Sequence, residues 1–185
     1  KIALHGEYCE SLLTCGEGSA HVNTTRNASF LHALQERFQA AQKGSFDGAD
    51  TLLYVYSTRG MEGNDRDTVQ IARGNIRQIQ KLCDYADQRR MRKILILNIS
   101  APVTLDELEQ RFDAIFCIFL PGMQGANALA DILCGKVNPS GHLPLTFPRA
   151  EYCMPTSLHF PGDGMQVSYG EGIFVGYRWY TTLHM

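Results

Sequence analysis

One acidic side chain, Glu62, stands where it could transfer a proton to or from a bound molecule. It follows the apolar, β-rich run 51–56 after a short loop, and Gly60 and Gly63 beside it give the backbone conformational freedom. A loop carboxyl placed in this way can act as a general acid or base. The alternative is a solvated carboxylate, or one that only accepts hydrogen bonds from loop amides.

Two neighbouring groups of residues could support such chemistry. Asp65 and Arg66 follow on the same loop, and an Asp beside an Arg can form a charge-assisted network that fixes the shape of a loop. Gly16, Gly18 and Ser19 form a glycine-rich loop behind the first strand-like run, and such loops can bind anions. No Gly-Lys-Ser/Thr follows them, so we do not expect nucleotide binding.

The apolar pattern predicts strands and helices that alternate along the chain. The strand-like runs are 2–4, 51–56, 94–99 and 114–120. The helical stripes are 30–41, 76–91, 105–112 and 125–133, the first with Ser29 as its cap. Strands that are apolar on both faces and separated by helices predict a mostly parallel sheet covered on both sides. We therefore expect 51–56, 94–99 and 114–120 to be central strands, and a wrapping segment with a terminal strand after residue 150.

In an open parallel sheet, ligands bind beyond the carboxyl ends of the strands. This rule selects four loops of the predicted fold, namely 5–25, 57–68, 99–104 and 120–125. The candidate residues lie in the first two of these loops, so we expect both loops to meet at one edge of the sheet.

Composition and charge exclude several classes of function. The chain has 185 residues, of which 44% are hydrophobic and 19% charged, which fits a single domain with one core. Its formal net charge is −2, and the basic cluster 89–93 is better explained as the cationic end of a helix than as a nucleic-acid site. No apolar run approaches the roughly 20 residues that cross a bilayer, so neither nucleic acid nor a membrane is an expected partner.

The cysteines and histidines suggest no metal or cofactor. None of the six cysteines belongs to a C-x-x-C pair, and His142 and His159 have no partner at metal-ligand spacing. Reduced thiols are the simpler expectation. No signal peptide is visible, because the chain opens directly on a strand-like run, and the chain looks trimmed at both ends. The expected location is left open, with the cytoplasm favoured over secretion.

A longer pattern resembles a known family. Residues 121–148 read PGMQGANALADILCGKVNPSGHLPLTFP, which is similar to the PG-x-x-GG-x-A-x-A-D-x-L-x-G-x-x-NPSG-x-LP-x-TFP pattern of family 3 glycoside hydrolases, with Ala126 in place of one glycine. Further blocks of the same family follow its order, at 16–19, 62–66, 101–103 and 169–180. The chain is identified by these blocks as a member of that family, resembling its C-terminal sandwich domain over residues 1–185.

The resemblance implies a fold and an activity. It implies a three-layer (α/β)6 sandwich with about six strands, joined in the same protein to a (β/α)8 barrel domain that carries the nucleophilic Asp. It implies a retaining β-glycosidase of the β-glucosidase type, acting on β-linked oligosaccharides or on aryl and alkyl glycosides. Glu62 is the implied acid/base residue, because the E-G-x-D-R element of the family reads here as 62–66. Nothing in the chain resembles the barrel, so we expect it to be inactive alone.

The same resemblance assigns roles to the neighbouring loops. It makes Gly16, Gly18 and Ser19, near the sugar site and the interface with the barrel, candidate substrate-binding residues. Asp65 and Arg66, on the loop that carries Glu62, are further substrate-binding candidates, for which organising the loop is favoured over direct contact with the sugar. A domain that docks on a barrel should expose an apolar patch around loops 16–22, 57–66 and 120–125, with 169–180 nearby. The competing interpretation is a non-catalytic carbohydrate-binding or interaction module that keeps the fold.

Overall fold

The computed structural model describes residues 1–105 and 107–185 and divides the chain into two compact units. The first unit comprises residues 1–67, 72–101 and 107–141, and the second comprises 68–71, 102–105 and 142–185. The first unit contains the sheet and every predicted site residue.

Five strands form one sheet in which all neighbours are parallel. They are β1 (Ile2–His5), β2 (Ala41–Lys43), β3 (Thr51–Thr58), β4 (Arg92–Ile99) and β5 (Ala114–Cys117), arranged in the order β2-β1-β3-β4-β5. The helices of this unit are α1 (Phe30–Arg37), α2 (Arg73–Gln88) and α3 (Gly125–Leu133). Short 3-10 turns cover Gly18–Ala20 and Glu109–Arg111.

The two faces of the sheet are covered by different helices. On one face, Leu4, Leu53 and Val55 pack with Leu34 of α1 and Leu129 of α3. On the other face, Ala3 and Leu52 pack with Ala86 near the end of α2 and with Met91. These two apolar layers confirm the predicted α/β fold with a parallel sheet between helices.

Local signals explain where α1 begins. The side chain of Ser29 accepts a hydrogen bond from the backbone N–H of His32 at 3.3 Å, as a helix N-cap does. The predicted cap is therefore confirmed, but the helix ends at Arg37, and the residues that follow turn into β2.

The position of the last strand corrects one expectation. Strands β3 and β4 lie inside the sheet and are largely buried, as their apolar runs predict. The run 114–120 forms only the short β5, which lies at the edge of the sheet and is half-buried. Its apolar residues predicted a central strand with both faces buried. No described strand pairs with the side of β5 that faces away from β4, so the described sheet has five strands rather than about six.

Two further elements differ from expectation. Of the predicted helix 105–112, the structure shows the 3-10 turn Glu109–Arg111, while residue 106 lies outside the described residues. In place of the expected terminal strand, the structure has the short helix α4 (Tyr177–Thr182), which Gly176 precedes with a φ of +56°. No described helix is long and apolar enough to cross a membrane.

The second unit is held by polar contacts of its own. The carboxylate of Glu151 accepts hydrogen bonds from the Thr68 hydroxyl at 2.9 Å and from the Gln70 amide at 3.1 Å. The indole nitrogen of Trp179 donates to the carbonyl oxygen of Cys153 at 3.1 Å. Much of its apolar surface is exposed, with Leu158 and Met165 each about nine-tenths accessible.

Candidate functional site

The end of β3 presents Glu62 at the outermost point of a tight turn. Residues 61–64 form this turn, in which the backbone N–H of Asn64 donates to the carbonyl oxygen of Met61 at 3.4 Å. Gly63 occupies its third position with a φ of +77°, a conformation that side chains with a Cβ rarely adopt. Glu62 precedes this glycine and is exposed, so its carboxyl group faces solvent at the carboxyl edge of the sheet.

The glycine-rich loop lies directly against this turn. The backbone N–H of Glu17 donates to the carbonyl oxygen of Gly60 at 2.8 Å, and Glu17 and Met61 form an isolated parallel β-bridge. The exposed 3-10 turn that begins at Gly18 and includes Ser19 follows immediately. A Cβ added to Gly18 would lie 3.3 Å from the Met61 Cγ atom. The two predicted loops therefore meet, as the carboxyl-edge rule requires.

The residue after β4 packs under the same turn. A Cβ on Gly60 would lie 2.5 Å from the Ser100 Cβ atom, so a glycine is required for the two segments to approach this closely. The Ser100 hydroxyl donates to the Arg59 carbonyl oxygen at 3.2 Å, and the Ser100 backbone N–H donates to the Thr58 hydroxyl at 3.3 Å. These contacts fix the backbone on which Glu62 stands.

Arg59 joins the loops after β1 and β3 through its side chain. Its Nε donates to the Tyr8 hydroxyl at 2.9 Å and its Nη1 donates to the Glu17 carboxylate at 2.9 Å. The hydrogen bond to Tyr8, together with the negative charge of Glu17, raises the pKa of the Arg59 guanidinium. A permanent cation therefore lies three positions before Glu62.

The buried side-chain amide of Asn98 connects the loops that follow β1 and β5. Asn98 is fully buried near the end of β4. Its oxygen accepts from the Leu13 backbone N–H at 2.7 Å, and its nitrogen donates to the carbonyl oxygens of Leu13 at 2.9 Å and Phe119 at 2.6 Å. Phe119 has a φ of +47°, which is uncommon for a residue other than glycine. One side chain therefore ties the segments that follow β1 and β5 to β4.

The structure brings most of the predicted site residues together. Gly16 lies near Gly60 and Gly18 lies near Met61, beside the turn that carries Glu62, and Ser19 is the exposed residue that follows Gly18. Asp65 follows this turn as an exposed residue. Arg66 comes next and is half-buried. Val22 and Met61, 58% and 43% exposed, give this edge some of the expected apolar surface.

Arg59, Tyr8 and Asn98 were not singled out from the sequence as parts of this site. The available signal was a polar residue inside the otherwise apolar run 94–99, which places an amide where it needs buried partners. Within the described ranges, no three His, Cys, Asp or Glu side chains converge as a metal site would require. All six cysteines are free thiols.

Known proteins share both the sequence pattern and the fold. Residues 1–177 match the family model described as "Glycosyl hydrolase family 3 C-terminal domain". An exo-alpha-(1->6)-L-arabinopyranosidase from Bifidobacterium longum is 31% identical over 98% of this chain, and the thermostable beta-glucosidase B of Acetivibrio thermocellus is 36% identical over 98% of it. In both relatives the chain spans 27% of the length.

A solved structure extends the likeness to three dimensions. Beta-glucosidase 3B from Thermotoga neapolitana, determined in complex with glycerol, superposes with a TM-score of 0.90 at 25% sequence identity. The match covers all of this chain and 32% of the solved one. The parallel sheet and the loops at its carboxyl edge thus recur in a much longer protein.

Proposed function

This chain belongs to glycoside hydrolase family 3, whose C-terminal domain it matches, and on that premise we propose that it completes the active site of a retaining β-glycosidase. In this proposal Glu62 is the general acid/base. The nucleophilic carboxylate comes from a barrel domain elsewhere in the same protein. The substrate class is a β-linked oligosaccharide or an aryl or alkyl glycoside. The chain spans about a quarter of the length of the curated relatives described above, which leaves room for that domain.

The reaction needs two carboxyl groups that act in succession. The nucleophile attacks the anomeric carbon and forms a glycosyl-enzyme, while the acid protonates the departing glycosidic oxygen. The same group, now ionised, then takes a proton from the water that hydrolyses the intermediate. The two carboxyl groups of a retaining enzyme lie about 5–5.5 Å apart, so the acid must project from its own domain toward the other.

The observation that carries the proposal is the position of Glu62. It is an exposed carboxyl on a tight turn at the carboxyl edge of the sheet, where open α/β folds bind ligands. The turn is held from both sides, by Glu17 of the glycine-rich loop and by Ser100 after β4. An acid on a fixed turn keeps its geometry when a second domain brings the sugar to it.

The neighbouring residues take supporting roles in this proposal. Gly16, Gly18 and Ser19 present backbone groups and one hydroxyl beside the turn, which suits contacts to sugar hydroxyls. Asp65 and Arg66 shape the end of the turn and lie within the same loop. The exposed Val22 and Met61 side chains supply apolar area for the docked barrel.

The test compares leaving groups in the complete protein. Glu62→Gln should lower turnover about 100-fold or more on alkyl glycosides, whose leaving group needs a proton. It should slow the first step far less on dinitrophenyl glycosides, which depart without help. Added azide should restore part of the second step by attacking the glycosyl-enzyme directly. The matched control is Glu109→Gln, an exposed glutamate before β5, which should leave all of these rates unchanged.

Other outcomes would redirect the proposal. Equal losses on both substrates without azide rescue would assign Glu62 a structural role and send the search to another carboxylate. A complete protein that binds sugars but turns over none would favour the carbohydrate-binding module. In this proposal the nucleophilic carboxylate belongs to the barrel domain, so we expect the 185-residue chain by itself to release no aryl alcohol from an aryl glycoside. Measurable turnover by the purified chain would contradict an active site shared between two domains.

A further inference from the structure

A cavity of about 410 Å³ lies at the carboxyl ends of β1 and β3, beside the first half of α2. Its volume is within the range of about 300–1,000 Å³ that small-molecule sites occupy. None of the six predicted site residues lines it, so it is a different place from the Glu62 turn. Its polar and charged lining residues are His5, Glu7, Lys43, Tyr54, Tyr56, Ser57, Asn75 and Gln78.

Two polar atoms of this lining lack a protein partner. The Nε2 atom of His5 and the hydroxyl oxygen of Ser57 are buried without a hydrogen bond to any described residue. The His5 ring stacks on Phe46 with a centroid distance of 4.7 Å, which holds the imidazole in place. Buried polar groups are nearly always satisfied, and an unsatisfied pair beside a cavity indicates a polar occupant.

Besides the exposed carboxylate of Glu7 and the Lys43 ammonium, the lining consists of uncharged groups, many of which can form hydrogen bonds. Burial raises the pKa of Tyr54 to about 12 and also raises the pKa of Tyr56, so both hydroxyls stay protonated and can donate. Burial lowers the pKa of His5, which keeps its imidazole neutral and leaves one nitrogen as an acceptor. The ammonium group of Lys43 is paired with Glu10 at 2.8 Å.

This chemistry selects the class of ligand. A phosphate or carboxylate would need an unpaired cation, and the cation that lines the cavity is already neutralised by Glu10. A purely apolar ligand would leave the His5 and Ser57 atoms unsatisfied. Hydroxyl groups donate and accept at once, and they match imidazole, phenol, hydroxyl and amide partners together.

We infer that the cavity binds a small, neutral, polyhydroxylated molecule of the monosaccharide or polyol class, at a site separate from Glu62. The ligand would hydrogen-bond polar groups of the lining, among them the Tyr54 hydroxyl, the Ser57 hydroxyl and the Gln78 amide. The inference stands independently of the proposed catalytic role, because it uses none of the same residues.

The test is a titration of the 185-residue chain with D-glucose, xylitol and, as the anionic comparison, glucose 6-phosphate, followed by amide NMR spectra. D-glucose, xylitol or both should give saturable shifts at Gly6, Gly44 and the Gln78 side chain, which surround the cavity. Glucose 6-phosphate should bind at least tenfold more weakly than the better neutral ligand. Saturable shifts confined to Gly18 and Gly63, or no saturable shift with either neutral compound, would overturn the inference.

Variants locate the contact. Tyr54→Phe, which keeps the ring and removes the hydroxyl, and Gln78→Ala should each weaken binding at least fivefold. The controls are Tyr152→Phe, an exposed tyrosine of the other unit, and Gln80→Ala, on the same helix but outside the cavity. Gln78 is exposed on α2, so its substitution keeps the test valid even where the buried Tyr54 variant fails to fold. Unchanged affinity in Gln78→Ala and Tyr54→Phe would contradict the site.

Discussion

The amide of Asn98 and the backbone of Leu13 form a reciprocal pair of hydrogen bonds, 2.7 and 2.9 Å long, inside the protein. The Asn98 nitrogen also donates to the Phe119 carbonyl oxygen at 2.6 Å, so one residue of β4 holds the loops that follow β1 and β5. Removing the nitrogen as a donor should therefore disturb the whole carboxyl edge.

Asn98→Asp should lower the free energy of unfolding by about 2–3 kcal/mol, because a carboxylate oxygen would face two backbone carbonyls without a proton to share. Urea unfolding followed by circular dichroism measures the change. The control is Asn127→Asp, whose amide nitrogen donates to the Gln124 side-chain oxygen at 2.8 Å on an exposed helix surface; it should change stability by less than about 0.5 kcal/mol. Similar stability of the two variants would mean that Asn98 does not organise these loops.

Gly60→Ala should destabilise the protein by about 1–3 kcal/mol, because the new methyl group overlaps the Ser100 side chain. Combining it with Ser100→Gly should recover at least half of that loss, since the overlapping atoms are gone. Thermal unfolding of the single and double variants gives both numbers. Gly74→Ala, on α2 with open space around it, should instead be neutral or stabilising by up to about 1 kcal/mol. Additive losses in the double variant would exclude the proposed overlap.

Arg59→Met should affect turnover more than stability. The guanidinium is largely exposed, so its contacts with Tyr8 and Glu17 contribute little to the stability of the fold. They nevertheless fix the segment before Glu62, and in the complete enzyme we expect turnover to fall about tenfold or more. Steady-state kinetics and urea unfolding of the same preparation separate the two effects. The control is Arg92→Met. Arg92 is exposed at the amino end of β4, far along the strand from the Glu62 turn, and its substitution should change neither turnover nor stability.

The ion pair between α1 and α3 should make stability depend on pH in the acidic range. Arg37 Nε donates to Asp131 at 2.6 Å, and this hydrogen bond lowers the pKa of the Asp131 carboxyl. A group with a lower pKa in the folded state stabilises the fold above its unfolded pKa of about 3.9. That stabilisation is lost as the pH falls through the folded value.

Asp131→Asn should therefore be less stable than the parent protein at pH 7, by a difference that stays constant down to about pH 5 and shrinks below about pH 4. Urea midpoints across this range give the difference directly. The exposed Asp47→Asn variant should show no such trend. If the stability difference between the parent protein and Asp131→Asn grew toward acidic pH, the Arg37–Asp131 ion pair would not have the stabilising role described here.

The general architecture was predictable because apolar runs on β3 and β4 must be covered on both faces. The edge position of β5 was not, since the composition of a run says how much of it is buried but not which strand lies beside it. The residues after 150 carry few apolar residues at regular spacing. The sequence pattern there favours neither a strand nor the helix α4, and the prediction of a terminal strand was wrong.

The candidate site was predictable in part for a similar reason. Parallel strands bring their carboxyl ends to one edge, so the meeting of Glu17 with Gly60 follows from topology alone. The contacts of Asn98 and Arg59 join backbone and side-chain atoms that are distant in the sequence, and no local pattern encodes such partners. The position of the loops therefore follows from the strand pattern, whereas the side chains that connect the loops can be identified only in the folded structure.

The strand order has a consequence for how the chain reaches its native state. Ile2 pairs with Thr51, and Thr51 pairs in turn with Arg92, so each ladder at the centre of the sheet closes a long stretch of chain. The entropy of such closures must be overcome before any ladder becomes favourable, and proteins dominated by distant pairings fold slowly. The edge that carries Glu62 forms only after these ladders, which makes the proposed site a late product of folding and leaves apolar strands exposed to association until then.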